Sequence, residues 1–114
     1  MRPVRLSTTA ELDFANIVKW TAEKFGPEQA RRYAAVLIEA IGELAAGPEI
    51  PGARQRDELM KGLWSIHIAH RKRRGRHFLL YRCLGDGTIE IGRILHDQME
   101  LARHLPPDTS DLLD

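Results

Sequence analysis

"GLWSIHIAHRKRRGRHFLLYR", residues 62–82, decides the fold. Trp64, Ile66 and Ile68 alternate with Ser65, His67 and Ala69, and a period of two places alternate side chains on one face of a strand. "RHFLLYRCL", residues 76–84, is more continuously apolar and reads as a strand in the middle of a sheet. Between the two lie Arg71, Lys72, Arg73, Arg74 and Arg76, five cations in six positions around Gly75. His70 ends one strand and His77 begins the next. The run therefore sits at a hairpin tip, where Gly75 can supply a positive φ. Charge runs in exposed loops are ordinarily just solvated. The sharper reading is contact with phosphates, without base-specific recognition because no aromatic residues are interleaved.

Moving downstream, "GDG" at 85–87 is a hairpin turn and "TIEIGRIL", 88–95, a third strand. "HDQMELARHL", 96–105, suits a short final helix. Residues 106–114, "PPDTSDLLD", read as an acidic, flexible tail outside a single domain spanning 1–105. That tail either folds back on the basic hairpin or makes no contact. Upstream, "GPEIPGARQRD" at 47–57 is turn-rich and reads as a loop.

Before that loop the period becomes helical. Ala30, Tyr33, Ala34, Leu37, Ile38, Ile41, Leu44 and Ala45 line one face of a helix that starts at Pro27 and runs to about Ala46. An earlier helix carries Ala10, Phe14, Ile17, Val18, Thr21 and Phe25 on one side, with Thr8 and Glu11 forming a capping box. Gly26-Pro27 joins the two in an antiparallel hairpin. "RPVRLS" ahead of them reads as a short strand. The order β-α-α-β-β-β predicts an α+β layer fold, a helical hairpin packed on an antiparallel sheet, with the other sheet face left for partners.

Composition narrows the class. The 114 residues, 43% hydrophobic and 29% charged, fit one globular domain. A lone cysteine, Cys83, allows no disulfide within the chain and fits a reducing, cytoplasmic setting. The N-terminal stretch lacks the apolar core of a signal peptide, no run is long enough for a membrane span, and zinc-type Cys/His spacing is missing, so neither cofactor nor metal is expected. Charge is uneven. Residues 1–53 carry six Lys/Arg against seven Asp/Glu, 54–82 carry nine against two, and 83–114 carry two against seven. The positive middle block can attract an anionic surface.

Several segments, in order, resemble toxins of the RelE/ParE superfamily from type II toxin–antitoxin pairs, nearest to the ParE branch. "AELDFANIVKWTAEKFGPEQARRY" resembles the family's first helix and the entry to its second. "IGELAAGPEIPGARQ" resembles the end of the second helix and its loop. "GLWSIHI" and "HFLLYR" resemble the central strands, and "IEIGRILHDQMEL" the last strand and following tail. The resemblance implies a ParD-like antitoxin partner, assembly as a hetero-oligomer with it, and a target that in ParE members is DNA gyrase, alone or together with DNA. RelE-like relatives instead cleave messenger RNA on the ribosome.

Candidate residues follow from both lines. Target contacts would be Arg71, Lys72, Arg73, Arg74, Arg76, Arg93 and His96. RNA cleavage needs groups that activate the 2′-hydroxyl, stabilise the phosphorane and protonate the leaving group. Arg93, His96 and His67 are the available set, but no Tyr follows Arg93. The bland alternative for Arg93 is an ion pair at a strand end. By strand parity it shares the face of Ile89 and Ile91 unless Gly92 hosts a bulge that turns it outward. For His96 the bland alternative is anchoring the C-terminal segment. Leu12 and Trp20 fall off the first helix's stripe and Val36 off the second's, and the three can form an antitoxin groove. Replacing Arg73, Arg74 and Arg76 together is expected to leave folding nearly intact.

Overall fold

The computed structural model describes residues 1–70 and 73–106. Arg71 and Lys72 of the basic run, and the acidic tail from residue 107, lie outside them. The elements are β1 (Val4–Leu6), α1 (Thr8–Phe25), α2 (Pro27–Glu43), β2 (Arg54–Gln55), β3 (Trp64–His67), β4 (His77–Cys83) and β5 (Ile89–His96). The chain is an α+β fold whose five-stranded sheet has the order β1-β5-β4-β3-β2. β1 runs parallel to β5, and the other neighbours are antiparallel.

The helical hairpin covers the inner sheet face. Ala10, Leu37, Ala40 and Leu44 meet Ile66, Ile68, Leu79, Tyr81, Ile89, Ile91 and Ile94 in the main core. The outer face was expected to be open. Its centre is instead filled by a second cluster, in which Leu63, Leu80 and Leu95 are covered by Leu59, Met60, Leu101 and Leu105. The segment after β5 has one 3₁₀ turn, Leu101–Arg103, and serves as an apolar cover. Its last described residue, Pro106, is buried against Gly92, where any Cβ would overlap the proline ring.

Three sequence expectations shift by a residue or an element. The cap of α1 is Ser7, not Thr8: its hydroxyl accepts from Ala10 N at 3.1 Å. The loop at 47–57 contains β2, a two-residue edge strand paired with Trp64 and Ser65. Exposed polar edge strands show no apolar alternation to betray them. The second helix ends at Glu43, and Leu44–Ala46 tighten into a 3₁₀ turn.

The bulge at Gly92 is present. Leu80 pairs with Arg93 while Tyr81 pairs with Ile91, leaving Gly92 as the extra residue. Parity flips there, so Ile94 rejoins the inner core with Ile89 and Ile91, and Arg93 does not. β1 stops at Leu6, whose partner is Ile91, yet β5 continues to His96. The helix that follows β1 takes over the free edge. Ser7 N donates to Ile91 O at 2.9 Å, the Ser7 hydroxyl donates to Gly92 O at 3.0 Å, and Asp13 Oδ2 accepts from Ile94 N at 3.0 Å.

Candidate functional site

The basic hairpin tip is less free than a charge run suggests. Arg73 folds back onto α2: it donates to both oxygens of Glu43 at 2.8 Å, to Glu39 Oε1 at 3.1 Å and, through Nε, to Ile68 O at 3.0 Å. Its side chain is only 9% exposed. The Glu43 carboxylate, ahead of Glu39, holds the guanidinium firmly in its charged form, with its pKa raised. Arg73 is therefore a clamp between hairpin and helix, and replacing it cannot leave folding untouched. Arg76 pairs with Asp97 at 3.1 Å but stays 62% exposed. Arg74 is exposed, with no ion pair to a described residue. Gly75 is needed for closeness rather than for φ. A Cβ there would run into Ile68 and lie 3.0 Å from the Tyr33 hydroxyl, and the positive-φ glycines lie elsewhere.

Beside the tip, the ends of β3, β4 and β5 gather three histidines around Asp97. The ring nitrogens are fixed by their partners. Ala69 N donates to His67 Nδ1 at 3.0 Å, so His67 carries its proton on Nε2, 3.0 Å from Asp97 Oδ2. Gln98 N donates to His96 Nδ1 at 3.1 Å, which leaves the half-buried His96 with its Nε2 free to carry a proton. Arg76 N donates to the Tyr33 oxygen at 3.2 Å, so the Tyr33 hydroxyl proton points to His77 Nδ1 at 2.6 Å. The His77 ring stands edge-on to His96 at 5.2 Å. Burial, then repulsion from His96, pushes His77 down to about 4. Hydrogen bonding to His67, and then to Arg76, holds the Asp97 carboxyl below its usual range. Burial raises the Tyr33 hydroxyl.

The three residues considered for RNA cleavage are thus divided. His67 and His96 meet at Asp97. Arg93 faces away, toward α1, where its Nε and Nη2 bind Asp13 Oδ2 and Oδ1 at 2.8 and 3.1 Å and its Nη1 donates to His104 O at 3.2 Å. The pair is largely shielded, with side chains 21% and 14% exposed. The strand cation that resembled a target contact is an internal tie. Tyr33 and His77 complete the polar cluster, and sequence spacing alone did not bring Tyr33 to it. Among the described residues, no group of three or more His, Cys, Asp or Glu side chains is arranged to hold a metal ion, and no helix is long and apolar enough to cross a membrane.

The helical hairpin leaves large apolar groups in solvent. Leu12 and Trp20 are 60% and 55% exposed, as their positions off the stripe suggested. Val36 is partly buried and packs against the main core. Ile38 and Phe25 are exposed by 60% and 64%, although both lay on expected core faces. Phe25 stacks edge-to-face with Trp20 at 5.9 Å, at the turn between the helices. Leu6, Glu11, Phe14, Ile38 and Ile41 line a shallow apolar groove between α1 and α2.

Comparison with known proteins adds the remaining finding. Residues 4–101 match the family model described as ParE toxin of type II toxin-antitoxin system, parDE. Toxin ParE1 of Mycobacterium tuberculosis is 37% identical over 100 residues, which covers 88% of this chain and 94% of the relative. Toxin ParE1 of Caulobacter vibrioides is 34% identical over 105 residues, covering 92% and 99%. Toxin ParE of Escherichia coli is 33% identical over 103 residues, covering 88% and 89%. A solved chain titled "Chromosomal ParDE TA system from P. aeruginosa" shares the fold, with a TM-score of 0.60 at 20% identity, over 84% of this chain and 96% of that one.

Two outcomes are expected of these side chains. Arg73→Ala should cost about 2 kcal/mol in urea unfolding, because it removes the clamp between hairpin and α2 and the bond to Ile68 O, while Arg74→Ala should stay within about 0.5 kcal/mol. His77 takes up its proton more readily unfolded than folded. Its contribution to stability is therefore complete above pH ~6.5 and is lost as pH falls toward 4. In that window the wild type should lose stability faster than His77→Gln, by on the order of 2 kcal/mol after discounting for partial exposure. Parallel pH curves would show that His77 is not held neutral.

Proposed function

The chain belongs to the ParE family of toxins from type II toxin–antitoxin systems, and on that premise we propose that it inhibits growth by binding DNA gyrase and is neutralised by a cognate ParD-like antitoxin. The observation that favours binding over chemistry is the state of Arg93. Its guanidinium is spent on Asp13 and the His104 carbonyl, away from His67 and His96; the described cation beside those histidines is Arg76, itself paired with their Asp97 rather than held ready for a phosphorane. The target surface is then the end of the sheet beside the hairpin tip, with His96, Arg76 and the exposed Arg74. Those three are what remains of the expected contact set among the described residues, once Arg73 and Arg93 are assigned to internal ties. Contact with DNA held by gyrase fits the positive charge of this end.

Neutralisation would use the opposite layer. Leu12, Trp20, Phe25 and Ile38 are exposed apolar side chains on the helical hairpin, suited to an amphipathic antitoxin helix that inserts into the groove of Leu6, Phe14, Ile38 and Ile41. The toxin domain is taken as residues 1–105, acting in the cytoplasm as a hetero-oligomer with its antitoxin.

One observation keeps a second reading, ribosome-dependent cleavage of messenger RNA, in view: His67, His77 and His96 crowd around one carboxylate with Tyr33 beside them. One pair of assays separates the two. The binding toxin should block gyrase supercoiling, leave ribosome-bound messages intact, and lose potency at least tenfold with Arg74→Glu combined with His96→Ala. Codon-specific cleavage that disappears with His96→Ala, at unchanged supercoiling, would replace gyrase with the ribosome.

A further inference from the structure

The side chains assigned to a target are held from behind by one residue of the helical layer. Tyr33 of α2 accepts from Arg76 N at 3.2 Å, and its oxygen stands 2.6 Å from His77 Nδ1. The amide proton occupies the phenolic oxygen, so the hydroxyl proton goes to His77. His77 is then neutral, with its own proton on Nε2, and its ring lies edge-on to His96 at 5.2 Å. Arg76 and His96 are thus both linked to one hydroxyl. The first is reached through its main chain, the second through the His77 ring.

The chain around that hydroxyl has little room to move. Arg76 O accepts from Asp97 N at 2.7 Å, so both main-chain polar groups of Arg76 are fixed. Gly75 passes so close that a Cβ would lie 3.0 Å from the Tyr33 oxygen and overlap Ile68. On the other side of Arg74, Arg73 is tied to Glu39 and Glu43 of the same helix. Arg74 is therefore strung between two attachments to α2, and the Arg76 side chain runs from the second of them to Asp97. The Tyr33 ring packs against the main core and holds α2 to the sheet by itself. Hydrogen bonds are directional where apolar packing is not, so the hydroxyl adds alignment rather than adhesion. Burial raises its pKa, and it keeps its proton throughout the neutral range.

We propose that Tyr33 is a positioning residue for toxicity, its hydroxyl aiming Arg74, Arg76 and His96 at the target. The inference rests on the target surface lying at this end of the sheet, and not on which target binds there. The groove offered to the antitoxin is elsewhere on the same helix. Ile38 lines it, five residues on from Tyr33 and so about 140° around α2. Loss of the hydroxyl therefore affects one partner and spares the other.

Tyr33→Phe removes the hydroxyl and keeps the ring. Growth arrest on inducing the toxin without its antitoxin, compared at equal amounts of folded protein, should need about fivefold more of the variant. Antitoxin affinity should stay within about twofold. Added to Arg76→Ala with His96→Ala, Tyr33→Phe should have almost no further effect, because it acts through those two side chains. Tyr81→Phe is the control. Its hydroxyl donates to Pro48 O at 2.7 Å, toward the other end of β4, and its loss should lower stability without changing toxicity per folded molecule. In the free protein, Tyr33→Phe should also take the His77 ring out of its single Nε2-protonated form, read from the ring nitrogen chemical shifts. Four results would overturn the proposal: equal toxicity of Tyr33→Phe and wild type, an undiminished effect of Tyr33→Phe in the double variant, the same loss with Tyr81→Phe, or unchanged His77 nitrogen shifts. Supercoiling measured alongside separates the target. Arrest that Tyr33→Phe weakens, from a toxin that leaves supercoiling intact, retains Tyr33 and removes gyrase.

Discussion

The carboxylate of Asp13 ties together three parts of the molecule. β1 lends β5 a partner for only three residues, Val4 to Leu6. Beyond Ile91 the edge of β5 has unpaired main-chain groups, and leaving such groups buried without partners is costly. The first turns of α1 solve this locally. Ser7 bonds to Ile91 and Gly92, and Asp13 accepts from Ile94 N while gripping the Arg93 guanidinium. Arg93 in turn holds the carbonyl of His104. The helix pair, the central strand and the C-terminal cover are thereby fixed by one ion pair and its hydrogen bonds. The Gly92 bulge makes this possible, because it frees Arg93 from the inner face and leaves room for Pro106.

A similar economy governs the far end of the sheet. The hairpin between β3 and β4 projects a dense positive charge, and Arg73 uses part of it to fasten the tip to α2 through Glu39 and Glu43. Tyr33 reinforces the attachment by accepting from Arg76 N and donating to His77. Arg74 and Arg76 stay exposed, and His96 is half-buried beside Asp97. Four of the six large exposed apolar side chains among the described residues, Leu12, Trp20, Phe25 and Ile38, stand on the helical layer. A cationic sheet end and an apolar helical layer are thus chemically distinct surfaces of one small domain.

The alternation in Trp64–Ile68 and the helical stripes were legible because burial imposes a period that composition cannot hide. The turn at Gly85–Gly87 was equally plain: Leu84 N bonds to Thr88 O across it, and Gly87 has a φ of 91°. The bulge was visible only as an option, since a glycine inside a strand permits one without requiring it. Other features depended on tertiary pairing and left no local trace. β2 is polar and two residues long. Thr8 and Ser7 are equally good caps, and only the need of Gly92 O for a donor distinguishes them. Ile38 and Phe25 sit on helical faces that read as core yet stand exposed, while Val36, off the stripe, packs against the core. Arg73 looked like one of five solvated cations because its two acidic partners stand on α2, 30 and 34 residues earlier.

A double-mutant cycle on Asp13→Ala and Arg93→Ala, read by urea unfolding, tests the central tie most directly. If the pair organises the join between helix, strand and C-terminal cover, each single substitution should cost about 3 kcal/mol, and the two should couple by at least about 2 kcal/mol. Single losses below about 1 kcal/mol that simply add would contradict it, and would return Arg93 to the group of side chains free to meet a target.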